Sequence, residues 1–153
     1  MNRLAIGTAQ FGMDYGIGSS PGKVSIGEVK KILEYAKTTN IDMLDTASAY
    51  GKSEKTLGEL NVDEFKVVTK TRHFNALKLT DDDVNLLNHD FDRSLQDLKL
   101  DSVYSLLIHN ADDLMKPGAS KIIEFMSGPL VSILFNLFPF RFTIKLWDPT
   151  VSP

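Results

Sequence analysis

The chain has 153 residues, with 17 Lys and Arg against 20 Asp and Glu, a formal net charge of -3, 42% hydrophobic residues and no cysteine. That balance describes one ordinary soluble domain and offers no basic surface to a phosphate backbone, so nucleic acid is not an expected partner. Without cysteine there are no disulfides, no thiolate nucleophile and no thiolate-held zinc or iron–sulfur centre.

The chain opens Met1-Asn2-Arg3-Leu4-Ala5-Ile6-Gly7-Thr8. Its apolar run breaks at Gly7-Thr8, too soon for the core of a signal peptide, and a cytoplasmic location is expected. Residues 3–7 read as a first strand. A helix should open at Ser25, where Ser25 and Glu28 have capping-box spacing and Ile26, Val29, Ile32, Leu33 and Ala36 follow at helical intervals. It should stop near Asn40, a residue that tolerates the left-handed conformation. Residues 41–44 form the next strand-like run, and 53–60 a short helix. Residues 65–69 are a third strand. A long helix starts at Thr80, with Asp81, Asp82 and Asp83 in its first turn, where the helix dipole favours them. Its apolar stripe is Val84, Leu87, Phe91, Leu95 and Leu98. Residues 102–108 are a fourth strand, and a last helix follows Pro117-Gly118 through Ile122, Ile123 and Phe125.

Strands that alternate with helices at this spacing predict an α/β fold with parallel β/α units. Four units are half of an eight-stranded (β/α) barrel, and a small open doubly wound sheet is the competing arrangement. Composition changes at Gly128: residues 128–153 carry only Arg141, Lys145 and Asp148 as charges, yet hold four of the six Pro, four of the nine Phe and the single Trp. Two regions are therefore expected, 1–127 and a divergent apolar tail, 128–153. Pro139, Arg141 and Lys145 interrupt the tail, so a membrane span is not expected. A non-homologous end of a truncated barrel is the favoured reading, and cover for an open sheet edge is another.

In parallel β/α folds, functional side chains gather at the carboxyl ends of strands. Strands two, three and four end on Asp45, Lys70 and His109, and Tyr50 lies five positions beyond Asp45. Singly, each residue has an ordinary structural explanation as turn former, solvated charge or packed ring. Their convergence on one rim suggests chemistry. A neighbouring ammonium favours a phenolate, and Lys70 is placed to act on Tyr50 in this way while Asp45 pairs with Lys70. His109 adds a donor for a carbonyl oxygen. The set suits protonation of an oxygen on which charge is developing.

The segments Gly7-Thr8-Ala9-Gln10-Phe11-Gly12, Asp45-Thr46-Ala47-Ser48-Ala49-Tyr50-Gly51, Val68-Thr69-Lys70-Thr71 and Leu107-Ile108-His109-Asn110 resemble, in order and spacing, the aldo-keto reductase family over about residues 1–127. The resemblance implies a (β/α) barrel and NADPH as cofactor, with a small carbonyl compound as substrate. It implies Tyr50 as general acid, Lys70 and Asp45 tuning it, and His109 orienting the substrate. Gly7, Thr8 and Asp45 would lie near the nicotinamide, and Asn110 on the substrate or carboxamide side. Nothing after Met126 matches the family's later cofactor-binding strands. The alternative is thus a catalytically inactive half-barrel that acts through self-association at its open edge or through a partner.

Other motifs fail on spacing. Residues 16–22 have one residue too many for a dinucleotide glycine pattern. Between Gly18 and Gly22 the P-loop spacing is one residue short, and Val24 stands where Ser or Thr should follow the lysine. His73, His89 and His109 form no compact ligand cluster, so no metal site is expected.

Overall fold

A computed structural model of the chain describes residues 4–16 and 22–127; the apolar region 128–153 and most of the glycine-rich stretch 16–22 lie outside the described residues. The elements run β1 (Ile6–Gly7), α1 (Ala9–Gly12), α2 (Ile26–Thr38), β2 (Met43–Asp45), α3 (Ser53–Glu59), β3 (Lys66–Lys70), α4 (Asp81–Leu98), β4 (Ser105–Leu107), a 3₁₀ turn (Ala111–Met115) and α5 (Ser120–Ser127). All strand pairs are parallel and the order is β1-β2-β3-β4. Because no strand order reverses, the described sheet has barrel topology, and the doubly wound alternative is set aside.

The ladder sorts the side chains into two faces. Ile6, Leu44 and Val67 share one row, and Thr69 and Leu106 continue that face. Ile6, Leu44, Val67 and Leu106 pack into one apolar cluster with Val29 and Leu33 of α2, Leu57 of α3, and Phe91 and Leu98 of α4. Gly7, Asp45, Val68 and Ser105 form the row on the opposite face, followed by Lys70 and Leu107. The ionisable residues thus lie on the face away from the described helices. A second cluster, Phe74, Leu79, Leu87, Ala119 and Ile122, seats α5 beside α4.

The helix signals act as the sequence suggests. Ser25 accepts a hydrogen bond from the Glu28 amide at 3.3 Å, and Asn40, beyond the end of α2, has φ 56°. Thr80 starts α4, with Asp83 accepting from its amide at 2.9 Å and from its hydroxyl at 2.8 Å. These bonds hold the Asp83 carboxyl below its ordinary pKa. β1, β2 and β4 are shorter than their apolar runs, while β3 keeps five residues, shifted by one. Residues 102–104 precede the β4 ladder, and Val103 is already buried in the core. α1 and the 3₁₀ turn were not expected, since four or five residues are too few to show a periodic pattern. No described helix is long and apolar enough to cross a membrane.

Candidate active site

Asp45 ends β2, Lys70 ends β3, and His109 stands just beyond β4. Tyr50 comes from the loop between β2 and α3. That loop is held against α1 by a close backbone approach: a Cβ on Gly12 would lie 1.8 Å from the Tyr50 carbonyl oxygen, and one on Gly51, whose φ is +60°, would lie 2.7 Å from the Gly12 oxygen. Only glycine permits this contact. The Lys52 amide donates to the Gly12 carbonyl at 3.2 Å across it.

The four residues predicted from the sequence meet. The Lys70 ammonium donates to an Asp45 carboxylate oxygen, to the Thr46 carbonyl at 2.9 Å and to the Tyr50 hydroxyl at 3.3 Å. Its three protons are therefore all directed. The Lys70 side chain is 13% exposed, whereas that of Asp45 is 45% exposed, so the amine is fixed from beneath while the carboxylate stays at the mouth. The ring of His109 stands edge-on to Tyr50, with centroids 5.9 Å apart.

His109 is held neutral. Burial of the imidazole, and then the nearby His73 ring and the Lys70 ammonium, push its pKa below the ordinary value. His73 lies against it at 4.1 Å between ring centroids. The His109 amide donates to the Thr71 hydroxyl at 3.2 Å, and Nδ1 is buried with no hydrogen-bonding partner among the described residues.

The residues expected near a cofactor differ in how they present themselves. A Cβ on Gly7 would meet nothing within 4 Å, so the face beside Asp45, its register partner, is open. Thr8 is completely buried. Its hydroxyl donates to the Asp45 carbonyl at 3.0 Å and accepts from Ser53 at 2.8 Å. Asn110 caps the 3₁₀ turn, its side-chain oxygen accepting from the Asp112 amide at 3.1 Å.

Glu54, which the sequence reading did not single out, is 5% exposed and accepts a 2.6 Å hydrogen bond from Thr69. Burial raises its pKa, against the opposing effect of hydrogen bonds from Thr69 and Ser94. It lies at a cleft of about 310 Å³ that Ser48, Arg72, His73 and Asp90 also line. That cleft lies beside the tetrad and not over it.

The model of the aldo/keto reductase family matches residues 3–128. The chain belongs to the aldo/keto reductase family. Among curated proteins, the chain resembles an oxidoreductase of Leptosphaeria maculans, sirO, at 39% identity over 71 residues, 44% of this chain and 22% of that protein. Among solved structures, it resembles an aldo-keto reductase from Pseudomonas aeruginosa at 23% identity and TM-score 0.63, covering 80% of this chain and 50% of that one. An aldo-keto reductase from Bacillus halodurans, in its holo form, matches at 16% identity and TM-score 0.53, covering 81% of this chain and 42% of that one. At these identities the structural likeness speaks to the fold. The chain thus spans half or less of the length of these relatives.

Proposed function

We propose that this chain provides the proton-donating side of an NADPH-dependent carbonyl reductase, with Tyr50 as the general acid. The observation that carries this reading is the Lys70 ammonium, bonded at once to the Asp45 carboxylate and the Tyr50 hydroxyl. Reduction of a carbonyl adds a hydride to carbon and a proton to oxygen. A reduced nicotinamide supplies the hydride when bound. Tyr50 hands its hydroxyl proton to the substrate oxygen, and the ammonium 3.3 Å away stabilises the charge left on the phenolic oxygen. Asp45 keeps the ammonium in place. His109, held neutral, donates from Nε2 to the carbonyl oxygen and orients the substrate.

The residues fit a flat nicotinamide on one side: Gly7 leaves open space beside the half-exposed Asp45, and Thr8 supports both from beneath. Asn110 lies on the substrate side, next to His109. The substrate is a small aldehyde or ketone. Titration of the purified chain with NADPH, followed by nicotinamide fluorescence, tests the fit. Saturable binding that weakens in Gly7→Leu is expected, and a folded chain that does not perturb the fluorescence would sink the reading.

A second reading is favoured by one observation. Parallel sheets are normally covered on both faces, whereas the described helices pack on one, and Leu107 of the edge strand β4 is 42% exposed on the other. On this reading the chain acts through association of that face.

A further inference from the structure

Two residues at the start of α3 are buried, polar and unused by the proton-transfer chemistry. Ser53 is completely buried and Glu54 is 5% exposed. The Thr46 hydroxyl donates to Ser53 Oγ at 3.2 Å, Ser53 donates to the Thr8 hydroxyl at 2.8 Å, and Thr8 donates to the Asp45 carbonyl at 3.0 Å. One run of hydroxyls therefore joins the start of α3 to the tips of β1 and β2. Glu54 extends it to β3, accepting from Thr69 at 2.6 Å. Thr69 faces the helices and Lys70, its neighbour, faces the opposite side of the same strand. On the other side of the pair, the Ser53 amide donates to the Tyr50 carbonyl at 3.1 Å.

We propose that Ser53 and Glu54 form a clamp that holds the tips of β1, β2 and β3 in register and so sets the distance between the Lys70 ammonium and the Tyr50 hydroxyl. Both are positioning residues. The inference rests on the reading of Lys70 and Tyr50 as a working pair. A buried carboxylate is a costly way to tie a helix to a strand, and here its bond reaches the residue adjoining Lys70. The Glu54 carboxyl is tied to β3 by the Thr69 hydroxyl. A glutamine at this position keeps an oxygen that accepts from Thr69. Alanine keeps none.

The test uses the full chain and reads the Lys70 ammonium directly, through its ¹⁵N,¹H signal, assigned by its loss in Lys70→Met. In the native protein a slowly exchanging signal is expected. In Glu54→Ala and in the near-isosteric Thr69→Val, exchange should quicken by about tenfold or more, the factor that a lost hydrogen bond to a charged group is worth. Glu54→Gln should retain most of the protection. Where reductase activity is measurable, kcat should fall by up to about 10²-fold in Thr69→Val, as for a small misplacement of reacting groups, with KM little changed. Unchanged Lys70 exchange in folded Thr69→Val and Glu54→Ala would overturn the clamp alone. An unprotected Lys70 signal in the native chain would instead overturn the reading of Lys70 and Tyr50 as a pair. If Glu54→Ala does not fold, Thr69→Val decides.

Discussion

The electrostatic roles of single residues make predictions of opposite sign. His109 binds its proton less tightly in the fold than in the unfolded chain, because burial, His73 and Lys70 all oppose the imidazolium. Its contribution to stability is therefore fully present above the ordinary histidine value of 6.5 and lost as pH falls through the depressed folded value. Glu54 behaves in the reverse sense. Burial makes the fold bind its proton more tightly, so its contribution is present below 4.5 and lost as pH rises through the raised folded value. Thermal melts should show that His109→Gln flattens the loss of stability on the acid side, while Glu54→Gln removes a decline that the native chain shows on going upward from the carboxylate range. Equal slopes in variant and native protein would refute each assignment. The tetrad was legible in the sequence because each member ends a strand or follows one closely. Ser53 and Glu54 were not, since a Ser-Glu pair opening a helix reads as two solvated side chains until the strands behind it are in place.

The elements derive their positions from contacts that differ in how far sequence reveals them. α2 and α4 were readable because caps and apolar stripes agree, as with Leu87, Phe91 and Leu98. α1 carries no such pattern, yet its last residue, Gly12, seats the Tyr50 loop. Gly12→Ala would drive a Cβ into the Tyr50 carbonyl and must push the loop away. The expected result is a folded protein whose reductase rate drops with Tyr50 displaced, checked by the loss of the close Tyr50 and His109 ring contact in NMR. A native-like ring contact would contradict this role for Gly12. Core packing gives a simpler contrast: Leu57 is completely buried under the sheet, and Leu77 is 90% exposed. Leu57→Ala should cost about 2–5 kcal/mol and Leu77→Ala within about 0.5 kcal/mol in urea unfolding, and similar losses for both would contradict the described core.

On the scale of the whole molecule, the parallel sense of the strands follows from the spacing of the β/α units, whereas their order β1-β2-β3-β4 does not, because strand order is not encoded in a local pattern; the barrel was legible only through the family resemblance. The described sheet has β1 and β4 as its edges, and a closed barrel of this kind has eight strands. On the second reading, in which the chain acts through association of the face that carries Asp45 and Lys70, light scattering coupled to size exclusion is expected to show a mass above 17.0 kDa that falls when Leu107 is replaced by Lys. A monomer in both cases would contradict association through this face. The most direct test of the central claim is aldehyde-dependent oxidation of NADPH by the purified chain, compared with Tyr50→Phe under conditions where circular dichroism shows both folded. The expected result is a rate lower by about 10²–10⁴-fold in the variant, the usual worth of a positioned general acid. Equal rates in the two proteins, or no aldehyde-dependent oxidation by a chain that binds NADPH, would contradict the assignment of Tyr50 as the acid.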